Sequence, residues 1–338
     1  MDPLQAHETP AYGRRGRLSP GQPPARRGAY SGATYYGRPA LKPSDYGELV
    51  AAYLFIGGIA GAAQVIATTA ELADRSALKD IVRSGRYLAV AGAIAGPAFL
   101  IADLRTPQRW YNMLRIFRAT STMSIGAWTL AAFGATSALA LAADLLADGT
   151  ERSAFRCVSR IFSLPAAATG AIVATYTGTL LSATSTPIWA EAHPILPVLF
   201  GASATATSTA AMSLLAHRSG ASLRQRNGLR RLAFVTTAAE WLLSRVLERR
   251  LRQRRVAQPL LASPAIAKTY RGGYLALGIV APAVLEGLGW MMRRRSRTLS
   301  VAAALATLAG GYLLRSVLLS AGKASALRPV DYFTNAQR

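Results

Sequence analysis

Long uncharged runs separated by short blocks of charge constrain the fold of this chain more than any other feature of its sequence. Of its 338 residues, 51% are hydrophobic and only 16% are charged, whereas an average soluble domain has about 25% charged residues. A soluble protein of this length must cover its surface with charge, but here Ala, Leu, Ile, Val, Gly, Ser and Thr fill the stretches between the blocks. The pattern predicts an integral membrane protein.

About eight of these runs are long enough to cross a membrane. A spanning helix needs about 20 mostly apolar residues. Only helices satisfy every backbone N–H and C=O group inside lipid, and no period-2 alternation favours a barrel. We therefore predict an all-α bundle of about eight transmembrane helices, of which the sixth is interrupted by Glu240 and Arg245. The predicted spans lie near 48–70, 86–102, 123–146, 161–182, 195–216, 232–247, 274–292 and 299–320.

The chain divides into three regions by composition. Residues 1–44 are rich in Gly, Pro, Arg and Tyr and contain neither an apolar run nor a visible signal peptide. We expect this segment to be a disordered extramembrane tail, because it cannot bury enough apolar surface to become ordered. Residues 45–325 are the predicted transmembrane domain, and 326–338 form a short C-terminal tail.

The net charge of +23 would indicate a nucleic-acid partner in a soluble protein. Here Lys and Arg lie between the hydrophobic runs, where they anchor helix ends to lipid headgroups and bias orientation. We therefore expect membrane lipid as a partner and no nucleic acid. The basic residues are too evenly divided between the two sides to settle the orientation.

The few cysteines and histidines limit the redox chemistry available to the chain. Its single cysteine, Cys157, allows no disulfide within the chain, no thiolate-bound iron–sulfur cluster and no c-type haem attachment. Of the three histidines, His7 lies in the tail, His193 in a loop and His217 at a helix end. We expect neither haem nor metal in this chain. A redox role would need a diffusible carrier held by polar side chains.

Polar residues concentrate at one predicted membrane face. Glu48 and Tyr53 open the first span, Tyr176 nears the end of the fourth, and a polar segment from Asp103 follows the second. A quinone headgroup needs donors to two carbonyl oxygens, a proton route and an apolar slot for its tail. We expect Asp103 to pair with Arg105, Arg109 or Arg115, because an unpaired acid at membrane depth is costly. The candidate quinone-binding residues are Glu48, Tyr53, Asp103, Arg109, Asn112 and Tyr176.

Other polar residues admit simpler interpretations. Aromatic residues at span ends usually form interfacial belts, which is the favoured interpretation of Tyr46, Trp110, Tyr111 and Trp189. Glu240 and Glu286 lie inside the sixth and seventh spans and are candidates for a proton path, with Arg245 close enough in sequence to neutralise Glu240. Basic loops are candidates for docking a partner through Arg105, Arg115, Arg118 and Arg252.

A set of short motifs makes the sequence similar to the NrfD/PsrC family, the membrane subunits of polysulfide reductase-type and related molybdoenzyme complexes. The resemblance covers roughly residues 35–325. One departure is that relatives usually read Asp-Leu-Gly-Arg-Pro, so the arginine here is displaced by one place. The motifs are Tyr35-Tyr-Gly-Arg-Pro39, Tyr53-Leu-Phe-Ile-Gly-Gly58, Asp103-Leu-Arg-Thr-Pro107, Asn112-Met-Leu-Arg115, Met123-Ser-Ile-Gly-Ala-Trp128, Thr175-Tyr-Thr-Gly178 and Pro187-Ile-Trp189.

The resemblance implies an eight-helix bundle without haem in the cell (cytoplasmic) membrane. It also implies a menaquinone or ubiquinone site at the face docked to a ferredoxin-like iron–sulfur subunit, which in turn contacts a molybdopterin catalytic subunit. On this basis the chain is a quinone-interacting anchor, not catalytic alone, that passes electrons between quinone and the iron–sulfur subunit. The alternatives are a non-redox anchor, a proton-translocating subunit and, last, a secondary transporter. The partner's substrate, the quinone type and the direction of electron flow stay open.

Overall fold

The computed structural model describes residues 41–291 and 297–336, which are almost entirely helical and contain no β-strand. In chain order the helices begin with α1 and end with α12, and a 3-10 helix at Pro107–Leu114 and a π-helix at Thr269–Val280 interrupt the series. The α-helices are α1 Glu48–Asp74, α2 Lys79–Ala102, α3 Thr122–Thr150, α4 Ser153–Ser182, α5 Pro187–Glu191, α6 Leu196–Arg218, α7 Leu223–Gln253, α8 Gln258–Leu261, α9 Pro264–Lys268, α10 Ala281–Met291, α11 Arg297–Ala326 and α12 Pro329–Ala336.

Six helices in the described part of the chain are long and apolar enough to cross a membrane. They are α1, α2, α3, α4, α6 and α11, and they coincide with six of the eight predicted spans. The predicted all-α membrane fold is confirmed. The count of eight stays a prediction for the other two spans.

The two remaining predicted spans fall on helices of a different character. The sixth lies within α7, where only 13 residues, 232–244, separate Arg231 from Arg245. The seventh is divided between the π-helix and α10, and its last residue, 292, lies outside the described part. Most of the predicted N-terminal tail, 1–40, is also outside it. The C-terminal segment carries the short helix α12.

Small residues allow the spanning helices to approach closely. A Cβ atom on Gly61 of α1 would collide with the backbone carbonyl of Gly170 in α4, and one on Gly92 of α2 would lie 2.5 Å from Cβ of Ala60. Such contacts are typical of membrane helices, whose association depends on van der Waals packing. Gly61 and Gly92 therefore mark where α1 packs against α4 and α2.

The helices alternate in direction, so their ends divide between two faces. We name the faces by the prediction made from the sequence. The quinone face, where a quinone site is predicted, is the end where α1, α3 and α6 begin and α2 and α4 end, and the opposite face is the end reached by α1 at Asp74 and left by α7 at Leu223. The short helix α5 lies at the quinone face, where Nε1 of the buried Trp189 donates to the backbone carbonyl of Leu318 in α11 over 2.8 Å. That bond closes the bundle between its fourth and last spanning helices.

Candidate functional site

Two acidic residues, Glu48 and Asp103, lie near the start of α1 at the quinone face. Asp103 ends α2, and a Cβ atom on Gly47 would lie 3.5 Å from its Oδ1, so the Asp103 carboxylate faces the residue directly before Glu48. The Glu48 carboxylate accepts hydrogen bonds from Tyr312 over 2.7 Å and from Ser316 over 3.1 and 3.2 Å. The helix α11 therefore holds Glu48 in place beside the end of α2.

The expected pairing of Asp103 with a nearby arginine is wrong. Nη2 of Arg105 instead donates to Oδ2 of Asp45 over 3.0 Å, at an exposed position. In the described part of the chain, neither Arg109 nor Arg115 forms an ion pair with Asp103. The turn after α2 carries these arginines outward into the 3-10 helix and beyond it, so the Asp103 carboxylate lies against α1 rather than against its own loop.

Two tyrosines lie below the acidic residues. Tyr53 is 5% exposed and packs against Gly57 and Gly96, with 3.7 and 3.6 Å from its ring carbons to the positions of their Cβ atoms. Its hydroxyl has no hydrogen-bond partner among the described residues. The half-buried Tyr176 covers Gly126, where any Cβ atom would collide with the phenol ring, and its hydroxyl donates to the carbonyl of Thr122 over 2.5 Å.

The two other predicted quinone ligands lie apart from this group. Arg109 and Asn112 are exposed on the 3-10 helix. Neither side chain hydrogen-bonds to Glu48, Tyr53, Asp103 or Tyr176 within the described ranges. The structure therefore gathers Glu48, Asp103 and Tyr53 around the start of α1, places Tyr176 across α3, and leaves the 3-10 helix as a cover at the surface.

Outside the membrane spans, Tyr46 completes the rim of the quinone face. Its ring stacks on Trp189 with 6.2 Å between centroids. Burial raises the pKa of the Tyr46 hydroxyl above its ordinary value, because the phenolate would lose its hydration. Tyr46 is therefore a protonated, neutral group at neutral pH. The stacking of Tyr46 on Trp189 favours a packing role as much as a place in an interfacial belt of aromatic residues.

A basic and aromatic surface covers the segment between α2 and α3. The four predicted docking residues, Arg105, Arg115, Arg118 and Arg252, are all exposed. Large apolar side chains that are 40–60% exposed lie among Arg105, Arg115 and Arg118 and shortly after them in the sequence. The rings of Phe117 and Trp128 meet edge to face, with 6.3 Å between centroids. Interfaces favour arginine together with aromatic residues. The exposed apolar residues are Trp110, Tyr111, Ile116, Phe117, Met123 and Trp128.

Glu240 lies in a buried polar cluster between α7, α6, the π-helix and α11. Its carboxylate faces Ser203, Tyr274 and the guanidinium of Arg315. That guanidinium donates to Oγ of Ser203 over 2.8 Å, and the Tyr274 hydroxyl lies 2.7 Å from Oγ of Ser244 on α7. Arg315 is only 1% exposed and lies 5.2 Å from the ring centroid of Phe200. The cluster buries a carboxylate beside a cation, as such groups require within a membrane.

The expected pairing of Glu240 with Arg245 is also wrong. Arg245 bonds to Glu248 over 3.1 Å, and Glu248 accepts a second hydrogen bond from Tyr270 over 3.0 Å. Arg245 lies five residues after Glu240, about 1.4 helical turns. Its side chain extends toward Glu248, nearer the end of α7, and not back toward Glu240. Glu286, the other predicted proton-path residue, is half-buried on α10, and no contact joins it to Glu240 in the described segments.

A second buried charge cluster, which the sequence reasoning missed, lies toward the opposite face. Arg86 is 0% exposed, donates hydrogen bonds to Glu71 over 2.5 Å and to Ser163 over 2.6 Å, and forms an ion pair with Asp144 over 2.6 Å. Arg75 also contacts both acids. The four charges come from α1, α2 and α3 and balance to zero. Asp144 falls inside the predicted third span. Acidic residues within membrane spans are rare, and this is the signal in the sequence that marked Glu240 and could also have marked Asp144.

The described residues contain no group of three or more His, Cys, Asp or Glu side chains able to hold a metal ion. The polar groups of the quinone face are instead carboxylates and phenols at the ends of separate helices. Such groups can exchange protons and form hydrogen bonds with a ligand.

The bundle and the polar ends of its helices define a multi-pass all-α membrane protein whose site lies at one face. Residues 42–326, most of the chain, match the profile of the family described as polysulphide reductase, NrfD. The chain therefore belongs to the NrfD family, as the sequence motifs indicated. No curated protein matches it.

Proposed function

We propose that this chain is the quinone-interacting membrane subunit of a respiratory oxidoreductase in the cytoplasmic membrane. It would exchange electrons between the menaquinone or ubiquinone pool and an iron–sulfur subunit that is bound to a molybdopterin catalytic subunit. The observation that carries the proposal is the arrangement around the start of α1. There Glu48 and Asp103 lie at the rim, and Tyr53 lies five residues deeper, about 7.5 Å along the helix.

The residues around the start of α1 fit a quinone headgroup. A quinone takes up two electrons and two protons on becoming a quinol. Tyr53 supplies a hydroxyl with no partner among the described residues, so it would donate to a carbonyl oxygen of the headgroup. Gly57 and Gly96 pack against its ring and keep the surroundings of the ring apolar. Tyr176 is already bonded to Thr122, so its ring would limit the site.

The two carboxylates would exchange protons with the aqueous side. Glu48 is held by Tyr312 and Ser316 and remains at the surface, so it can be protonated from water without crossing the bundle. Asp103 lies against Gly47, the residue before Glu48. General acid–base groups act within hydrogen-bond reach of the atom that they protonate, and these two border the entrance above Tyr53.

The basic and aromatic surface between α2 and α3 would dock the iron–sulfur subunit. Arg105, Arg115 and Arg118 would attract an acidic partner, and the exposed aromatic residues beside them would supply contact area. Because this surface covers the 3-10 helix directly after Asp103, the partner would lie over the entrance to the site. The distance for electron transfer between the quinone and the iron–sulfur subunit would then be short.

Substitution of the two acids tests this function. In the assembled complex, Asp103→Asn and Glu48→Gln should each reduce quinone-dependent turnover while the subunits still co-purify. Asp45→Asn is a matched control, because Asp45 is an exposed acid at the same face that pairs with Arg105. Turnover at the wild-type level in both Asp103→Asn and Glu48→Gln would contradict the proposal.

The Tyr53→Phe variant tests headgroup binding separately from proton exchange. It keeps the ring packed against Gly57 and Gly96 but removes the hydroxyl, so the KM for quinone should rise more than kcat falls. The quinone content, measured by solvent extraction and absorbance of the purified chain, should fall as well. A chain that binds its partners but never contains quinone would favour the non-redox anchor.

The buried cluster of Glu240, Ser203, Tyr274 and Arg315 favours a second candidate function, proton translocation coupled to turnover. Burial of a carboxylate among groups able to donate and accept protons is the usual composition of a relay. In complexes reconstituted into vesicles, Glu240→Gln should abolish turnover-linked acidification while turnover continues. Glu286→Gln is the control, because among the described residues no contact joins Glu286 to the cluster. Equal acidification in Glu240→Gln and wild type would exclude this function.

A further inference from the structure

A cleft of about 550 Å³ opens at the opposite face, far from the quinone site. It is lined by Leu78, Arg224, Asn227, Gly228 and Arg231. Leu78 lies in the turn between α1 and α2, and the other four residues lie on the first half of α7. Its volume is within the range of ordinary small-ligand sites, about 300–1,000 Å³.

The position of the cleft matches the level of lipid headgroups. The spanning helix α1 ends at Asp74 and α2 begins at Lys79, so Leu78 lies where the chain turns at the membrane boundary. The start of α7 is attached to the same turn, because Nε2 of Gln225 donates to the carbonyl of Ala77 over 2.8 Å. The cleft is therefore formed by two segments that are held together at the edge of the bundle.

The polar lining of the cleft is cationic and largely uncompensated. Arg231 is exposed and forms no ion pair with any residue in the described ranges. Arg224 meets Asp74 only at 3.8 Å, with side chains 74% and 38% exposed, and the Asp74 carboxylate already accepts from Ser76 and the Ala77 amide. Two guanidinium groups and the Asn227 amide therefore remain available to an anion.

The spacing of the cationic residues favours an extended anionic ligand. Asn227 and Gly228 lie three and four residues after Arg224, and four and three residues before Arg231, so the four residues share one face of α7. Seven residues separate the two arginines, which is about 10.5 Å along the helix axis. Nothing lies within 4 Å of a Cβ atom on Gly228, so the floor between the arginines is open.

We propose that this cleft binds the phosphodiester headgroup of an anionic membrane phospholipid, with Arg224 and Arg231 on the phosphates and Leu78 against the start of the acyl chains. Basic pockets beside transmembrane helices attract anionic headgroups, and guanidinium groups bind phosphate through two parallel hydrogen bonds. A lipid with two phosphates fits the separation of the arginines better than a lipid with one. Zwitterionic lipids lack the net charge to compete.

The affinity of the purified full-length chain in detergent, measured by native mass spectrometry, tests the proposal. Cardiolipin should bind more tightly than phosphatidylglycerol, and phosphatidylcholine should bind weakly. Arg224→Gln/Arg231→Gln should raise the cardiolipin Kd about 30-fold. The control Arg152→Gln/Arg160→Gln removes the same charge from exposed positions around the start of α4 and should leave the Kd unchanged. An equal loss in both double variants would overturn the proposal.

Two further variants separate the shape of the cleft from its charge. Gly228→Phe keeps both arginines but fills the open floor, so it should abolish cardiolipin binding. Asp74→Asn removes the carboxylate that faces Arg224 and should strengthen binding. Wild-type cardiolipin affinity in Gly228→Phe would show that the lipid binds elsewhere.

A last binding measurement, with inorganic phosphate, distinguishes a lipid ligand from a soluble anion. Inorganic phosphate at the same concentration should neither bind measurably nor displace cardiolipin, because it lacks the acyl chains that Leu78 would contact. Saturable phosphate binding that depends on Arg224 and matches the cardiolipin affinity would make the cleft a site for soluble anions, contrary to the proposal.

Discussion

Nη1 of Arg86 lies 2.6 Å from Oδ2 of Asp144, across the interface of α2 and α3, with the arginine wholly buried. Glu71 and Arg75 complete a neutral set of four charges. Removing one member leaves a buried charge uncompensated, which costs far more than the intact pair contributes. This cluster joins the ends of α1, α2 and α3 near the opposite face.

We expect Arg86→Gln to lower the free energy of unfolding by about 3–5 kcal/mol, measured by thermal or denaturant unfolding in detergent. Arg75→Gln should have a smaller effect, because its side chain is 25% exposed and water can hydrate what remains. The double variant Arg86→Met/Asp144→Leu keeps the Glu71–Arg75 pair and should recover most of the loss. Equal destabilisation by Arg86→Gln and the double variant would show that the charges are not coupled.

The contact between Tyr176 and Gly126 predicts a second effect. Gly126→Val must displace the phenol ring and break its hydrogen bond to Thr122, so quinone-dependent turnover should fall at least as far as in Tyr176→Phe. Combining Gly126→Val with Tyr176→Ala removes the collision and should restore the stability of the fold but not turnover. Gly149→Val is the control, because nothing lies within 4 Å of a Cβ atom there.

The docking surface predicts a binding defect that depends on salt. Arg115→Glu/Arg118→Glu should weaken association with the iron–sulfur subunit, chiefly through a slower on-rate, as measured by surface plasmon resonance at several ionic strengths. The difference from wild type should shrink as salt rises, because exposed charges are screened. Arg152→Glu/Arg160→Glu makes the same change in charge at the opposite face. A defect of the same size in that control would place the partner's contact elsewhere.

Asp331 predicts a dependence of stability on pH. Burial raises its pKa above the ordinary value of 3.8, and Arg328, 3.5 Å away, offsets part of the rise. Because the folded-state pKa is raised, its favourable contribution is complete below pH 3.8 and is lost as pH rises through the folded-state value. The stability of Asp331→Asn relative to wild type should therefore increase from pH 4 to pH 7 in thermal unfolding. A constant difference would contradict the burial of a charged carboxylate.

The sequence predicts the parts of this molecule that depend on apolar length. Six spans agree with helices because about 20 apolar residues in lipid have few other conformations. The order of the spans also predicts that Glu48, Asp103 and Tyr176 lie at the same face, because successive spanning helices run in opposite directions. The sixth span is harder to predict, since the α7 helix continues through arginines at both of its ends.

The pairing of charges could not be predicted, because it depends on rotation and side-chain direction. Arg245 lies within reach of Glu240 along the sequence, yet Arg315, 75 residues later, is the cation that faces it. Asp103 likewise has three arginines nearby in sequence and lies against Gly47 instead. In the sequence, Glu71, Arg75 and Arg86 resemble ordinary charged loop residues, because no local pattern indicates that their side chains point into the helix bundle.

The π-helix at Thr269–Val280 carries both Tyr270 and Tyr274, whose rings lie 5.6 Å apart. Its i→i+5 bonding places more residues in each turn than an α-helix has. Deleting one residue in this segment, such as Gly272, would return it to α-helical winding and rotate Tyr274 by roughly 100° about the axis. The Tyr274 hydroxyl would then turn away from Oγ of Ser244 on α7, which lies 2.7 Å from it. A chain shorter by one glycine, and almost unchanged in hydropathy, would have lost a buried hydrogen bond between the π-helix and α7.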